Sequence, residues 1–509
     1  MNETGSDTPS AAVRSPATWV RSWLRGLTQA DSASAASAGI LSLKRREWLL
    51  IAALVIVSCG IHLALRMRGF GEQDEARFGI YALAWHHTGQ FPIDTYTNRT
   101  SPLYLIYMRL ALASGLSPLA LPSHLNFINV FAGSLALLPM VLLFRSLTDF
   151  WSAFFAAIVY WFVPAFWIGN SYGMPHIPAL ALMLGSLVLY TRSLDLQGTP
   201  HRKTVALSAL CMVIAAGLKS DIVLSGLAFP GVAWCARMLT RRNLLVALAI
   251  PALAVVTTIV VSRVFLPVPV SASAYAQSWR ETFPFTLDTL RDKGHWTLLE
   301  GSLGGVFWRA AAVALLLCLL GKYRRLALVV LAWAVPPFVF WGLISANGIR
   351  HFTVALSAVA VLLVLGVKAL FRLPILCAVA LGLLTIFNYN SMPATDNPHT
   401  GTPRLFESHR LMQQRNSKLM ESGRLFALDG ATRKLLVGYW AIPYCEYAIL
   451  ARAERFERRV IKDGVLWEFE VWPRGASGPT FVRVRRGPQP LPERNEGWLV
   501  WNAELGRAL

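Results

Sequence analysis

Hydrophobic positions in this chain fall in long uninterrupted runs, with polar positions gathered between them. A helix needs about 17 to 25 apolar residues to cross a bilayer core. Eleven runs approach or reach that length, at about 48–66, 124–144, 152–169, 175–192, 204–219, 222–239, 243–262, 304–321, 325–345, 352–369 and 373–389. Polar positions collect in two long loops, about 67–123 and 263–303. In the first loop, the fairly apolar stretch from Leu103 to Leu121 is expected to lie along the interface rather than to cross, because a crossing would reverse every later loop. After Asn388 the pattern changes. Leu411, Leu419 and Phe426 recur among charges as on an amphipathic helix over Phe406–Phe426. Leu466–Trp472 and Phe481–Arg485 alternate apolar with polar, as half-buried strands do, and Trp498–Trp501 reads as a further strand.

The pattern predicts an all-α polytopic membrane protein of about eleven transmembrane helices with a small C-terminal extramembrane α+β domain. The expected parts are a disordered leader over 1–43, a membrane domain over 44–390 and a soluble domain over 391–509. A cleaved signal peptide is not expected, since the first long apolar run starts only near Trp48. Composition agrees: of 509 residues, 55% are hydrophobic and 15% charged, outside the usual soluble range.

Charge adds orientation. The net charge of +20 would suggest nucleic acid in a soluble chain, but no basic motif with interleaved aromatics occurs, and nucleic-acid binding is not expected. The basic residues instead sit in alternate short loops, at Lys44–Arg46, Arg145, Arg192 with Arg202 and Lys203, Arg237 with Arg241 and Arg242, Lys322 with Arg324 and Arg325, and Lys368 with Arg372. Positive loops stay in the cytoplasm. The leader is therefore expected inside, and both long loops and the tail outside, as in a multi-pass protein of the cell inner (plasma) membrane. The six cysteines show no metal-type spacing.

The densest chemistry is Gly71-Glu72-Gln73-Asp74-Glu75-Ala76-Arg77-Phe78-Gly79, just beyond the first apolar run. Ionisable groups at a membrane boundary tend to line substrate routes. A carboxylate there can take a proton from an acceptor, and Asp74 and Glu75 are the candidate catalytic acids, with Arg77 as ion-pair partner. Cations suited to a phosphate stand at the expected outer helix ends, Lys219 and Arg350, and in the second long loop, Arg280. Asp221 is placed to neutralise Lys219. The adjacent His86 and His87 point to different faces of a helix and are not expected to share a metal. His176 and His351, taken singly, read as interfacial histidines. Aromatics near Tyr104 and Trp279 suit a sugar or lipid groove.

The acidic Asp-Glu-Ala-Arg-aromatic motif after the first helix, the amphipathic stretch Ile80–Gly89 and the later Ser101-Pro102-Leu103-Tyr104 together resemble the GT-C fold glycosyltransferases, in the protein O-mannosyltransferase and aminoarabinose transferase branch. Gly217-Leu218-Lys219-Ser220-Asp221 and Gly348-Ile349-Arg350-His351-Phe352 extend the resemblance. It implies an inverting transfer from a polyprenyl-phosphate-linked sugar donor to a lipid, glycan or protein acceptor among membrane lipids, with no cofactor and no metal. Asp74 and Glu75 would be catalytic. Arg350, Lys219 and Arg280 would hold the donor phosphate, and Arg77, Tyr104 and His176 the acceptor or sugar. Two departures stand out. Thr100-Ser101-Pro102 replaces the cation-Pro-Pro common in the family, and the turn Asn170–His176 lacks the acid many relatives carry, leaving His176 or Tyr172 as substitutes. The alternative readings are a transporter or flippase of lipid-linked sugars, against which the absence of an internal repeat counts, and a glycan polymerase or ligase.

Overall fold

The computed structural model describes residues 43–66, 69–70, 73–89, 101–194, 201–265, 300–342, 349–371, 373–391, 433–437, 442–462, 466–473, 480–486, 499–502 and 507–508. Helices form at every one of the eleven apolar runs. In chain order the bundle is α1 (Arg45–Leu65), α2 (Gln73–Thr88), α3 (Pro102–Ala113), α4 (Leu121–Leu147), α5 (Phe150–Trp161), α6 (Pro164–Ser171), α7 (His176–Ser193), α8 (Arg202–Leu218), a 3₁₀ turn at Ser220–Leu227, α9 (Ala228–Cys235), α10 (Arg241–Phe265), α11 (Gly305–Leu320), α12 (Arg324–Gly342), a 3₁₀ turn at Ile349–Phe352, α13 (Thr353–Leu370) and α14 (Pro374–Asn390).

Among the described residues, five helices are long and apolar enough to cross a membrane, and a sixth span results if α5 and α6, bent by 68° at Phe162–Val163, are taken together. Pro164 at the first position of α6 accounts for the break, since a proline disfavours helical conformation in the residue before it. Several other apolar helices are shorter. α3 is one of them. Its 12 residues extend about 18 Å. Large apolar side chains such as Leu49, Ile56, Leu316, Ile375 and Phe387 stay exposed on the bundle's rim, an arrangement suited to lipid and costly in water. α13, buried along most of its length, is the central helix.

Polar contacts inside the bundle join neighbouring helices. Ser58 of α1 meets Ser134 of α4 at 3.1 Å and accepts from the indole of Trp161 at 3.0 Å, the kind of side-chain bond that joins helices where lipid supplies no water. At the basic end, Arg145 lies 3.8 Å from Glu47. There too Lys368 donates to Asp149, the residue that caps α5 by accepting from the Ser152 amide at 3.1 Å.

After α14, strands β1 (Arg433–Val437), β2 (Ala453–Lys462), β3 (Leu466–Pro473), β4 (Thr480–Arg486), β5 (Leu499–Asn502) and β6 (Arg507–Ala508) form one mixed sheet in the order β2-β3-β4-β1-β5-β6, with helix α15 (Ile442–Leu450) between β1 and β2. All three predicted strands are present. β3 runs antiparallel to β2 and β4, while β1 is parallel to both β4 and β5. α15 does not stand apart from the bundle. Tyr444, Cys445, Tyr447, Ala448 and Ile449 are buried in one core with Phe70 and with Ala76, Ile80, Leu83, Tyr104 and Leu105 of α2 and α3. The tail is packed against the helix that carries the acid motif. The leader to residue 42, the segment from 266 to 299 and the helix predicted over 406–426 lie outside the described residues.

Candidate active site

Adjacent residues on an α-helix point about 100° apart, so the two acids of the motif meet different surroundings in the first turn of α2. Asp74 lies on the accessible side: its side chain is 34% exposed, and one oxygen accepts from Arg77 at 3.1 Å. Glu75 is fully buried. Its Oε1 accepts from the backbone amide of Gly173 at 2.8 Å, which fixes α2 to the turn between α6 and α7. The pair is therefore divided between a reachable carboxylate and an inward one.

That turn is held from a second direction. Asn129 of α4 donates to the carbonyls of Tyr172 and Met174, the latter at 2.6 Å, and Asn126 donates to the Gly69 carbonyl at 2.8 Å, just before the acid motif. Only glycine fits at 173. A Cβ there would collide with Glu75 Oε1 and come within 2.6 Å of the Leu125 Cβ. Sequence reasoning overlooked Gly173, Asn126 and Asn129. Two amides three residues apart in an apolar run were the available signal, since polar groups at that depth need partners.

Tyr104 stands beside Glu75 from α3. Burial, and then the Glu75 carboxylate, hold its phenol well above the ordinary tyrosine range, and the same two causes act on Tyr447 of α15. Both phenols stay protonated. The buried Tyr104 hydroxyl makes no hydrogen bond among the described residues, so it can donate to a ligand. Phe78 lies edge-on to Tyr104, at 5.8 Å between ring centroids, and packs against the small cluster of Ile168, Tyr172 and Met174. Tyr172 is wholly buried in that cluster.

Lys219 and two histidines gather around Asp221. α8 ends at Lys219, which caps it in an extended conformation. The ammonium lies 3.5 Å from Asp221 and 5.5 Å from the centre of the Trp341 ring. His351, in the 3₁₀ turn before α13, stacks on Trp341 at 3.7 Å and places Nδ1 3.7 Å from the same Asp221 oxygen. His176, the first residue of α7, is buried and meets the His351 ring edge-on at 5.2 Å. The two groups of residues are joined: Leu103, next to Tyr104, sits over Gly217, where a Cβ would come within 2.6 Å of the leucine Cγ. His176 lies three residues beyond the Gly173 amide that Glu75 holds.

Of the residues expected from sequence, Asp74, Glu75, Arg77 and Tyr104 are thus brought together on α2 and α3, and Lys219 and His176 converge nearby. Arg350 lies in the 3₁₀ turn immediately before His351. Arg280 lies outside the described residues. Trp341, supporting both Lys219 and His351, gave no signal in sequence beyond its place at a helix end.

The chain matches no protein-family model and no curated protein. Among solved structures it is similar to ArnT from Cupriavidus metallidurans bound to undecaprenyl phosphate, at 14% identity and a TM-score of 0.49, covering 80% of this chain and 76% of that one. It is also similar to the archaeal oligosaccharyltransferase AglB from Archaeoglobus fulgidus in complex with an inhibitory peptide and a dolichol-phosphate, at 14% identity and a TM-score of 0.49, with 80% of this chain covering 64% of that one. The S. cerevisiae protein O-mannosyltransferase Pmt1-Pmt2 complex bound to the sugar donor is similar over 44% of this chain and 34% of that chain, at 18% identity and a TM-score of 0.33. At these identities and scores, the chemistry of the site rests on the chain's own residues.

Proposed function

We propose that this chain is an integral-membrane, inverting glycosyltransferase that moves a sugar from a polyprenyl-phosphate carrier to a lipid, glycan or protein acceptor at the outer membrane face. The observation that carries this reading is the joining of the acid helix and the lysine turn at one end of the bundle, through Glu75 on Gly173 and Leu103 on Gly217. Such a transfer needs a carboxylate and a cation on elements packed together, which these two contacts supply.

Asp74 takes the proton of the acceptor hydroxyl or amine. The acceptor then attacks the anomeric carbon from the face opposite the phosphate, and the bond between that carbon and the phosphate oxygen breaks. The electron pair leaves on the lipid phosphate, which Lys219 stabilises, with Arg350 placed by the same turn as His351. Arg77 orients Asp74 through the 3.1 Å contact between them. Glu75 acts through the backbone, as a positioning residue, and Tyr104 offers a hydroxyl to the sugar or acceptor. The apolar rim gives a lipid donor lateral access.

The test uses the purified full chain in liposomes. Mass spectrometry of envelope lipids and glycans from a strain lacking the protein names the donor and acceptor, which are then supplied. Wild type is expected to form a new glycosidic bond, and Asp74→Asn to slow it by about 10² to 10⁴-fold, the range for losing a general base. Near-normal turnover in folded Asp74→Asn removes the catalytic role. Movement of the lipid-linked sugar across the bilayer without bond formation replaces the reading with transport.

A further inference from the structure

His176, Asp221 and His351 come from three separated stretches of sequence and are all buried or nearly so. One ligating atom from each lies within 4.8 Å of the other two. The His351 Nδ1 to Asp221 Oδ2 distance is 3.7 Å. Two ligands on a tetrahedral zinc ion, with bonds of about 2.0 to 2.2 Å, stand roughly 3.3 to 3.6 Å apart, so modest side-chain movement closes the set.

The ring of His351 is fixed by its stack on Trp341, and His176 by its position as the first residue of α7 beside the tethered 172–174 turn. Lys219 also lies at the carboxylate, 3.5 Å away. An unprotonated imidazole nitrogen offers a lone pair to a metal ion. Two imidazole nitrogens and one carboxylate are a borderline donor set, suited to zinc and later first-row ions rather than to magnesium or calcium. Sequence reading weighed each histidine alone, and its expectation of no metal came from the family resemblance.

We propose that His176, Asp221 and His351 bind a zinc-type divalent cation whose remaining coordination position accepts a phosphate oxygen. Three protein ligands are the number found where a zinc ion keeps a position for an incoming oxygen. With Asp221 engaged by the metal, Lys219 is left to pair with the same phosphate. The identity of that fourth ligand rests on the reaction proposed above; the metal site itself does not.

The experiment is zinc titration of the purified, chelator-stripped full chain in detergent, read by calorimetry and metal analysis. One zinc per chain is expected in wild type. His351→Gln and Asp221→Asn are each expected to weaken it by tenfold or more, while His86→Gln leaves it unchanged. Lys219→Met is expected to tighten zinc about tenfold, because it removes a like charge from the shared carboxylate. Cobalt added to wild type gives a reading that needs no variant to fold: an intense tetrahedral visible spectrum supports the site, and the weak spectrum of an octahedral ion overturns it. Zinc bound equally by wild type and His351→Gln also overturns it. Inorganic phosphate should perturb the cobalt spectrum of wild type, and an unchanged spectrum removes the fourth-ligand assignment. Failure of the metal with Asp74-dependent transfer intact leaves the reaction standing; metal bound without transfer does the reverse.

Discussion

The two sides of the candidate site are built differently. On the acid side, Glu75 has no exposed surface, makes a 2.8 Å bond to a backbone amide and is walled by α3 and α15. On the cation side, Lys219, Asp221 and His351 meet at 3.5 and 3.7 Å, beyond the 2.7 to 2.9 Å typical of charge-assisted hydrogen bonds. The acid side is a frame, in which moving one group leaves a buried donor without its acceptor. The cation side is a set of charges near one another but not closed, which an anion or a metal can rearrange at small cost. In the proposed transfer, charge development would favour this combination, with the base carried on a fixed helix and the phosphate site free to tighten around its ligand.

The sharpest division expected is between the neighbouring acids. Asp74→Asn should lose turnover by about 10² to 10⁴-fold with an unchanged melting temperature. Glu75→Ala should melt earlier, since it strands the Gly173 amide at a cost of about 1 to 3 kcal/mol. Melting curves and single-turnover rates on both variants check the pair. If Asp74→Asn melts early, or Glu75→Ala is as stable as wild type, the assignments of frame and base are reversed.

On the other side, Lys219→Met is expected to weaken donor binding without unfolding the bundle. A hydrogen bond to a charged group contributes about 1.5 to 3 kcal/mol, which corresponds to roughly 10- to 150-fold in KM for the lipid-linked sugar. Arginine at 219 should restore part of the loss, because phosphate accepts either cation. A KM unchanged in Lys219→Met would assign the lysine to Asp221 alone.

Gly173→Ala probes the seam between the two sides. The added methyl would collide with Glu75 Oε1 and crowd the Leu125 Cβ to 2.6 Å, and overpacking of this kind costs about 1 to 3 kcal/mol. Unlike Asp74→Asn, it should reduce stability and turnover together, through displacement of α2. Thermal melting beside an activity profile reads both, and a stable, active variant would show that the turn does not position the acid helix.

Much of this architecture was legible in the chain. Each of the eleven apolar runs carries helix, because in a bilayer the backbone must satisfy its own hydrogen bonds and long apolar segments have no other regular option. The strands at Leu466–Trp472 and Phe481–Arg485 followed from alternation, though not their order: β1 pairs in parallel with strands 49 and 64 residues away (Arg433 with Val482, Leu435 with Leu499), and no local pattern encodes that. The acid motif was legible as chemistry, but that Glu75 turns inward onto a backbone amide was not, since only the packing of separated helices buries it. His176, Asp221 and His351 were invisible as a group because their neighbourhood is made by the packing of α6, α7 and α13 around two 3₁₀ turns. The docking of the tail was equally hidden, with Tyr444, Cys445 and Tyr447 reading as an unremarkable apolar stretch until α2 is set against them.

That docking yields the smallest expected effect. Tyr447 donates to the Pro118 carbonyl at 2.5 Å and lies edge-on to Phe70 at 4.6 Å between centroids, so one residue joins the tail to the segment before the acid helix and to the turn after α3. Tyr447→Phe keeps the ring contact and loses only the hydrogen bond, worth about 0.5 to 1.5 kcal/mol. A melting shift of that size with kcat nearly unchanged is expected, because the ring still walls Glu75. Tyr447→Ala removes the ring as well, and should lower kcat along with stability if the tail holds the acid helix in register. Equal kcat in all three proteins would confine α15 to stability and leave Gly173 and Asn126 as the contacts that hold the acid in place.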